Sequence, residues 1–449
     1  MREKGLIVLF CIVLIFLDMK NISVQTEGRL NFSKQAEDNT KSFELCYVAQ
    51  DTEDGERCFT EYDTEHEVPL TEDVKLYALS ACVLDAETGR VLYGKNENEV
   101  RAMASTTKIL TCLLALENCS LDEIVTVSEY AASMPDVQLN MKAGEHYRLY
   151  DLLLSLMLES HNDTAVAVAE HVGGSVEAFC EMMNQRALEL GCRNSTFLTP
   201  NGLDKEVSTT AGEKKHSTTA AELALIMAEC IKNEQFVEIC RTPNAMIQNQ
   251  EKTRSFSLEN HNALLRTMDG VIAGKTGFTC DAGYCYVGAV ERNASVYICS
   301  LLGCGWPNNK NYKWYDMKEL ITFAEEQYQK TSVIPQGLQD RLPKEIPVAE
   351  GIRDGQFQTM VPIKIESGNG KEAINVRSGE RLHIIYEVPE YICAPVTEGT
   401  AIGKIHYILN GQTIKTDSLT AEYTVDKVMF SDYLSLVLKE FFLCIFSKV

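Results

Sequence analysis

The chain is poor in basic residues. Its 42 Lys and Arg stand against 64 Asp and Glu, a formal net charge of -22 at pH 7. Phosphate backbones are bound by clustered Lys and Arg, so nucleic acid is not an expected partner. No C-x-x-C pair occurs among the 16 cysteines. That removes the ordinary spacing signature of a structural zinc site, and no metal or other cofactor is expected. There are eight histidines but no Gly-x-Ser-x-Gly, so the elbow that presents a serine to a His/Asp pair is missing. The N-terminal apolar run, Leu6 to Leu17, is too short for a spanning helix. Behind Arg2 and Lys4 it has the length of a secretory signal core. No small-x-small cleavage site follows, so residues 1–28 are expected to be a signal peptide or an uncleaved anchor.

What is present is a serine with a lysine three residues on. Ser105-Thr106-Thr107-Lys108 is the only such pair in the chain, and Ile109, Leu110, Leu113 and Leu114 follow at helical spacing. Residues three apart share a helix face, so the Lys108 amine is expected beside the Ser105 hydroxyl. A serine becomes a nucleophile when a neighbour takes its proton, and a desolvated lysine can do so. Taken alone the pair is also what a solvated helix start looks like. Two further motifs decide against that. Ser160-His161-Asn162 follows the apolar helical run Leu152 to Leu158, and Lys275-Thr276-Gly277 stands between Val271-Ile272 and the strand-like Tyr284 to Val290. Ser-x-x-Lys, a Ser/Asn motif and Lys-Thr-Gly together are the set of the β-lactamases and penicillin-binding proteins. A Ser/Asn pair can relay a proton and hold an amide. Lys-Thr on an edge strand can bind a carboxylate through a charge and a hydroxyl.

With these residues in view, the chain resembles the D-alanyl-D-alanine carboxypeptidases, low-molecular-mass penicillin-binding proteins of serine peptidase type. The similarity runs from about Leu76 to Tyr328 and includes Leu84 to Tyr93, Asn201-Gly202-Leu203-Asp204, His216 to Ala220, Asn260 to Leu265 and Gly274 to Thr279. The resemblance implies Ser105 as the acyl-ester nucleophile, Lys108 as proton acceptor and Ser160 as proton relay. Asn162, Lys275, Thr276, Gly277 and Phe278 would bind substrate, with the backbone N–H groups of Ser105 and Phe278 holding the oxyanion. It implies a peptidoglycan stem peptide ending in D-Ala-D-Ala as substrate and β-lactam antibiotics as covalent inhibitors. The expected location is the outer face of the cytoplasmic membrane, in the cell wall. Three departures stand out. Met103 replaces a proline common in relatives. His161 replaces a glycine, and is read as an exposed spacer or a cleft-facing group. Where relatives often carry a carboxylate-binding arginine, Lys310-Asn311-Tyr312-Lys313 offers lysines. His216 is read as structural. A β-lactamase would need a deacylating base with Glu-x-x-Leu-Asn spacing, which is absent between Asn162 and Lys275. A non-catalytic wall-binding protein would not need Ser105, Lys108, Ser160 and Lys275 all intact.

Composition divides the rest. Residues 29–73 are polar and acidic and are expected to form a flexible segment. Strand patterns, then helical patterns over 105 to 190, then strands from Val271 to Gly303, predict an α+β domain over 74–335, helices on an antiparallel sheet. Alternating runs at 358–365, 381–386 and 404–409, with turn signals at Ser367-Gly368-Asn369-Gly370 and Asn410-Gly411, predict a small all-β domain over 341–425. Residues 427–449 place Phe430, Leu434, Val437, Phe441 and Ile445 on one helical face, which predicts an amphipathic, membrane-associating helix. The alternative is a helix packed on the β domain. Cys82, Cys112, Cys285 and Cys299 are expected as small core residues, and Cys46 and Cys58 are candidates for a disulfide.

Overall fold

A computed structural model of the chain describes residues 40–52, 56–61, 74–210 and 212–446. The expected signal peptide or anchor of residues 1–28 lies outside them. Two units divide the chain: Val68–Thr331 with Ile374–Ser378, and Met1–Glu67 with Ser332–Ala373 and Gly379–Val449.

The first unit is built on a five-stranded antiparallel sheet. Its strands are β1 (Ser80–Asp85), β2 (Val91–Lys95), β3 (Val271–Thr279), β4 (Gly283–Arg292) and β5 (Ser295–Leu302), in the spatial order β3-β4-β5-β1-β2. Every residue of β1 is buried. Both faces of the sheet are covered, and a strand buried on both faces loses its polar alternation. Cys82 and Leu84 face a core shared with the helices, while Ala81 and Val83 face a second core with Met317, Leu320 and Ile321. Asn293 and Ala294 both have positive φ and make the tight turn from β4 to β5. On the first face lie α1 (Lys108–Asn118), α2 (Leu149–Leu158) and α3 (Asn162–Gly173). On the other lies α4 (Tyr312–Gln327). Ile374–Ser378 joins this unit although the β domain is expected to contain it. The reason is polar: Asn375 donates to the buried Asp85 carboxylate at 3.1 Å and accepts from Ser295 Oγ at 2.8 Å.

The second unit is a β-sheet with a small core of Val348, Val361, Ala421 and Val425. Asn410 and Gly411 turn between strands Ala401–Leu409 and Gln412–Ala421, as expected. Ser367 to Gly370 do not turn. The strand Gln356–Gly370 runs through them, with a register shift between Glu366 and Asn369. The expected flexibility of residues 29–73 fails over part of its length. Thr40–Asp51 and Arg57–Glu61 are strands, the former paired along Arg381–Pro389. Tyr47, Val48, Ala49 and Phe59 are buried there, apolar groups that the acidic flanks outweigh in composition. Residues 29–39 and 62–73 lie outside the described part. The register opposes Cys58 to Gln50, and Cys46 and Cys58 are both free thiols. The helix α5 (Phe430–Phe446) leaves Phe430, Leu434, Val437 and Phe441 exposed, while its Tyr433 ring lies 5.2 Å from Phe357 of the strand Gln356–Gly370. No helix among the described residues is long and apolar enough to cross a membrane.

Candidate active site

Ser105 sits in a short 3-10 turn, Ala104–Thr107, that leads directly into α1. Three bonds brace this turn. Thr106 Oγ1 donates to Met103 O at 2.6 Å, Thr107 Oγ1 donates to Ala104 O at 2.8 Å, and His216 Nε2 lies 2.8 Å from Thr107 Oγ1. Leu198 N–H donates to His216 Nδ1, so the imidazole proton is on Nε2 and is given to Thr107. Burial holds His216 down to about 3, so it stays neutral and keeps this tautomer. Its structural role, expected from the sequence, is to fix the turn that presents Ser105.

Lys108 is fully buried, and its amine has three neighbours: Ser105 Oγ at 2.8 Å, Asn162 Oδ1 at 2.9 Å and Asn201 O at 2.6 Å. Burial, with Lys275 as a second cation nearby, drives its pKa well below the ordinary lysine value. A neutral amine has two N–H groups and one lone pair. The two carbonyl oxygens can only accept, so they take the two hydrogens. The lone pair is left for the Ser105 hydroxyl, which is the arrangement of a general base.

Asn162 opens α3 and is buried, and both ends of its amide are engaged. Oδ1 accepts from Lys108, while Nδ2 donates to Pro135 O and Asp136 O at 3.1 Å each. In this arrangement the amide holds Lys108 and the 135–136 backbone. The carbonyl of Asn201 was not singled out in the sequence, since any residue supplies one. The signal was Gly202 beside it. Its φ is +85°, and a Cβ there would stand 2.0 Å from Ala104 O. The backbone of this loop passes directly under the nucleophile turn.

Ser160 has φ +69° and faces the same cleft as Ser105. Its Oγ is buried without a hydrogen-bond partner among the described residues. His161 is neither an exposed spacer nor a cleft residue. It is buried, with Nδ1 2.8 Å from Ser155 Oγ, because α2 and α3 meet behind it.

The edge strand β3 forms the opposite wall. Lys275 is 2% exposed and its Nζ donates to Thr276 O at 2.9 Å. Burial lowers it to about 7. A Cβ on Gly277 would come within 2.9 Å of Ser105 N, so only glycine lets this strand approach the nucleophile's amide. Thr276 and Phe278 line the cleft, about 600 Å³ in volume, and the Phe278 ring packs on Tyr284 at 4.6 Å. Of the two lysines offered in place of an arginine, Lys313 is buried in the cleft wall. Its amine sits over the rings of Tyr284 and Trp314 at 4.7 and 4.6 Å, and burial brings it down to about 8.

Residues 65–304 match the family model described as D-alanyl-D-alanine carboxypeptidase. The chain is 28% identical over 370 residues to the D-alanyl-D-alanine carboxypeptidase DacF of Bacillus subtilis, covering 81% of this chain and 90% of the relative. It is 31% identical over 221 residues to the D-alanyl-D-alanine carboxypeptidase DacB2 of Mycobacterium tuberculosis, covering 49% and 72%. Penicillin binding protein 5 of Haemophilus influenzae superposes with a TM-score of 0.60 at 23% identity, covering 80% of this chain and all of the other, a likeness of fold. On the strength of the matched half of its length, the chain belongs to the D-alanyl-D-alanine carboxypeptidase family.

Proposed function

We infer that this chain is a serine-type D-alanyl-D-alanine carboxypeptidase that removes the terminal D-alanine from peptidoglycan stem peptides through an acyl-enzyme on Ser105. The observation that carries the assignment of roles is the buried Lys108 amine, 2.8 Å from Ser105 Oγ and with its other two neighbours obliged to accept. Lys108 takes the hydroxyl proton as Ser105 attacks the carbonyl between the two D-alanines. The oxyanion is held by the backbone N–H groups of Ser105 and Phe278, which the missing side chain of Gly277 allows to converge. Ser160 delivers a proton to the leaving amine. Lys275 and Thr276 grip the terminal carboxylate, which confines cleavage to the last peptide bond. Water then releases the shortened peptide. β-Lactams acylate Ser105 by the same attack and act as covalent inhibitors.

The enzyme works outside the cytoplasm, at the outer face of the cytoplasmic membrane. The exposed apolar residues of α5, including Phe430, Leu434, Val437 and Phe441, support attachment to the membrane surface by a helix lying in the interface. A product assay on synthetic stem pentapeptides tests the substrate and the mode of cleavage. The free acid is expected to lose one D-alanine, and the C-terminal amide to be a poor substrate. Internal cleavage, or equal turnover of acid and amide, would refute the assigned carboxylate grip.

A further inference from the structure

Two helices whose first residues touch in the active site meet again at their ends. Lys108 begins α1 and Asn162 begins α3, and their side chains are 2.9 Å apart. Cys119 is the C-cap residue of α1, and His171 lies in the last turn of α3. The chain leaving α1 turns back at once. Glu123 N–H donates to Ser120 O, and Ser120 N–H donates to the Glu123 carboxylate at 2.6 Å. This sets the Glu123 carboxylate 3.0 Å from His171 Nε2. The donor atoms of Cys119, Glu123 and His171 all lie within 4.8 Å of one another.

We propose that Cys119, Glu123 and His171 bind one divalent d-block cation of the zinc class, which clasps the ends of α1 and α3 away from the catalytic cleft. Four features point the same way. A tetrahedral ion with metal–donor bonds of about 2.0–2.3 Å needs donors roughly 3.3–3.7 Å apart, a small rearrangement of this cluster. Sulfur and imidazole donors select zinc-like ions over calcium or magnesium, which take oxygen. A thiolate and a carboxylate neutralise a dication, and His171 adds a neutral ligand. Both helices also point their negative C-terminal ends at the position, which favours a cation there. Cys119 and His171 are partly buried, so the charges are not fully screened.

The protons balance simply. The Cys119 thiol releases its proton to solvent, and Glu123 is already a carboxylate. The neutral imidazole carries its proton on Nδ1 and turns the Nε2 lone pair to the ion, replacing its bond to Glu123. One proton leaves per ion bound, and water completes the fourth position. None of the three residues lines the active-site cleft. The span of α1, about 16 Å at 1.5 Å per residue, separates the cluster from Lys108, so the ion is a stabilising clasp and takes no part in the peptide cleavage.

The test is titration of the metal-stripped full-length chain with Co²⁺, followed by absorption spectroscopy, and with Zn²⁺, followed by thermal unfolding. The wild type is expected to show tetrahedral bands and a sulfur-to-cobalt charge-transfer band saturating at one ion per chain, and a rise in Tm with Zn²⁺. Cys119→Ser should abolish the charge-transfer band. Glu123→Gln and His171→Ala, which keep the thiol, should each weaken Co²⁺ binding at least about tenfold. Cys46→Ser, in the more exposed group Glu44, Cys46 and His383, should leave the band in place. No thiolate band in the wild type would overturn the proposal. So would a band that survives Cys119→Ser, one lost with Cys46→Ser, or full affinity in both Glu123→Gln and His171→Ala.

Discussion

At the scale of single residues, the proposed mechanism asks opposite charge states of two buried lysines. Lys108 must be neutral to accept a proton, and burial beside Lys275 pushes its pKa well below the ordinary lysine value, in that direction. Lys275 must be charged to bind a carboxylate, yet burial lowers it to about 7 in the free enzyme. A lowered lysine is protonated below its folded pKa and loses the charge as pH rises through it. For substrates with a free terminal carboxylate, kcat/KM is therefore expected to fall as pH rises past about 7. For carboxylate-free esters it should not fall there. Lys275→Ala should lower kcat/KM for the acid by about 10- to 150-fold, the equivalent of a charged hydrogen bond of roughly 1.5–3 kcal/mol, and spare the ester. Parallel pH profiles and equal losses would place Lys275 in another role. That Ser105 and Lys108 meet was legible in the sequence, because their approach depends on local spacing at a helix start. Other partners were not. Asn162 reaches Lys108 while carbonyls from Pro135 and Asp136 take its Nδ2, contacts between segments far apart in the chain. His161 is buried because of helix packing that no local pattern records.

At the scale of elements, the proposed mechanism depends on how closely an edge strand approaches a helix start. β3 packs against the nucleophile turn at Gly277, where a Cβ would meet Ser105 N at 2.9 Å and Thr106 N at 3.1 Å. Gly277→Ala is expected to force the strand and turn apart and slow acylation at least about tenfold. The unfolding midpoint should change little, because both elements keep their cores. Labelling with a fluorescent penicillin, followed over time, checks this, and a native rate would show that the close approach is not needed. The helices and an antiparallel sheet were legible from period and turn signals, whereas the number and order of its strands were not. The strands Thr40–Asp51 and Arg57–Glu61 were not, since short apolar stretches between acidic flanks acquire structure only by pairing with Arg381–Pro389, far along the chain. The cluster of Cys119, Glu123 and His171 escaped spacing rules for the same reason. His171 is 48 residues from Glu123 and meets it only through the side-by-side course of α1 and α3.

At the scale of the whole molecule, the proposed reading gives the catalytic unit and the tail separable tasks. The apolar residues of α5 are exposed, and the site residues all belong to the other unit. A protein starting near Glu27 and lacking residues 427–449 should lose flotation with anionic liposomes and keep D-alanine release within about twofold. Equal flotation with and without the tail would remove α5 as the anchor. The assignment as a whole rests on one covalent bond. Intact-protein and peptide mass spectrometry after exposure to benzylpenicillin measures it directly. One penicilloyl adduct per chain is expected, on the peptide containing Ser105, and Ser105→Ala should lose both the adduct and the release of D-alanine. An adduct on another residue, or D-alanine release that survives Ser105→Ala, would contradict the mechanism.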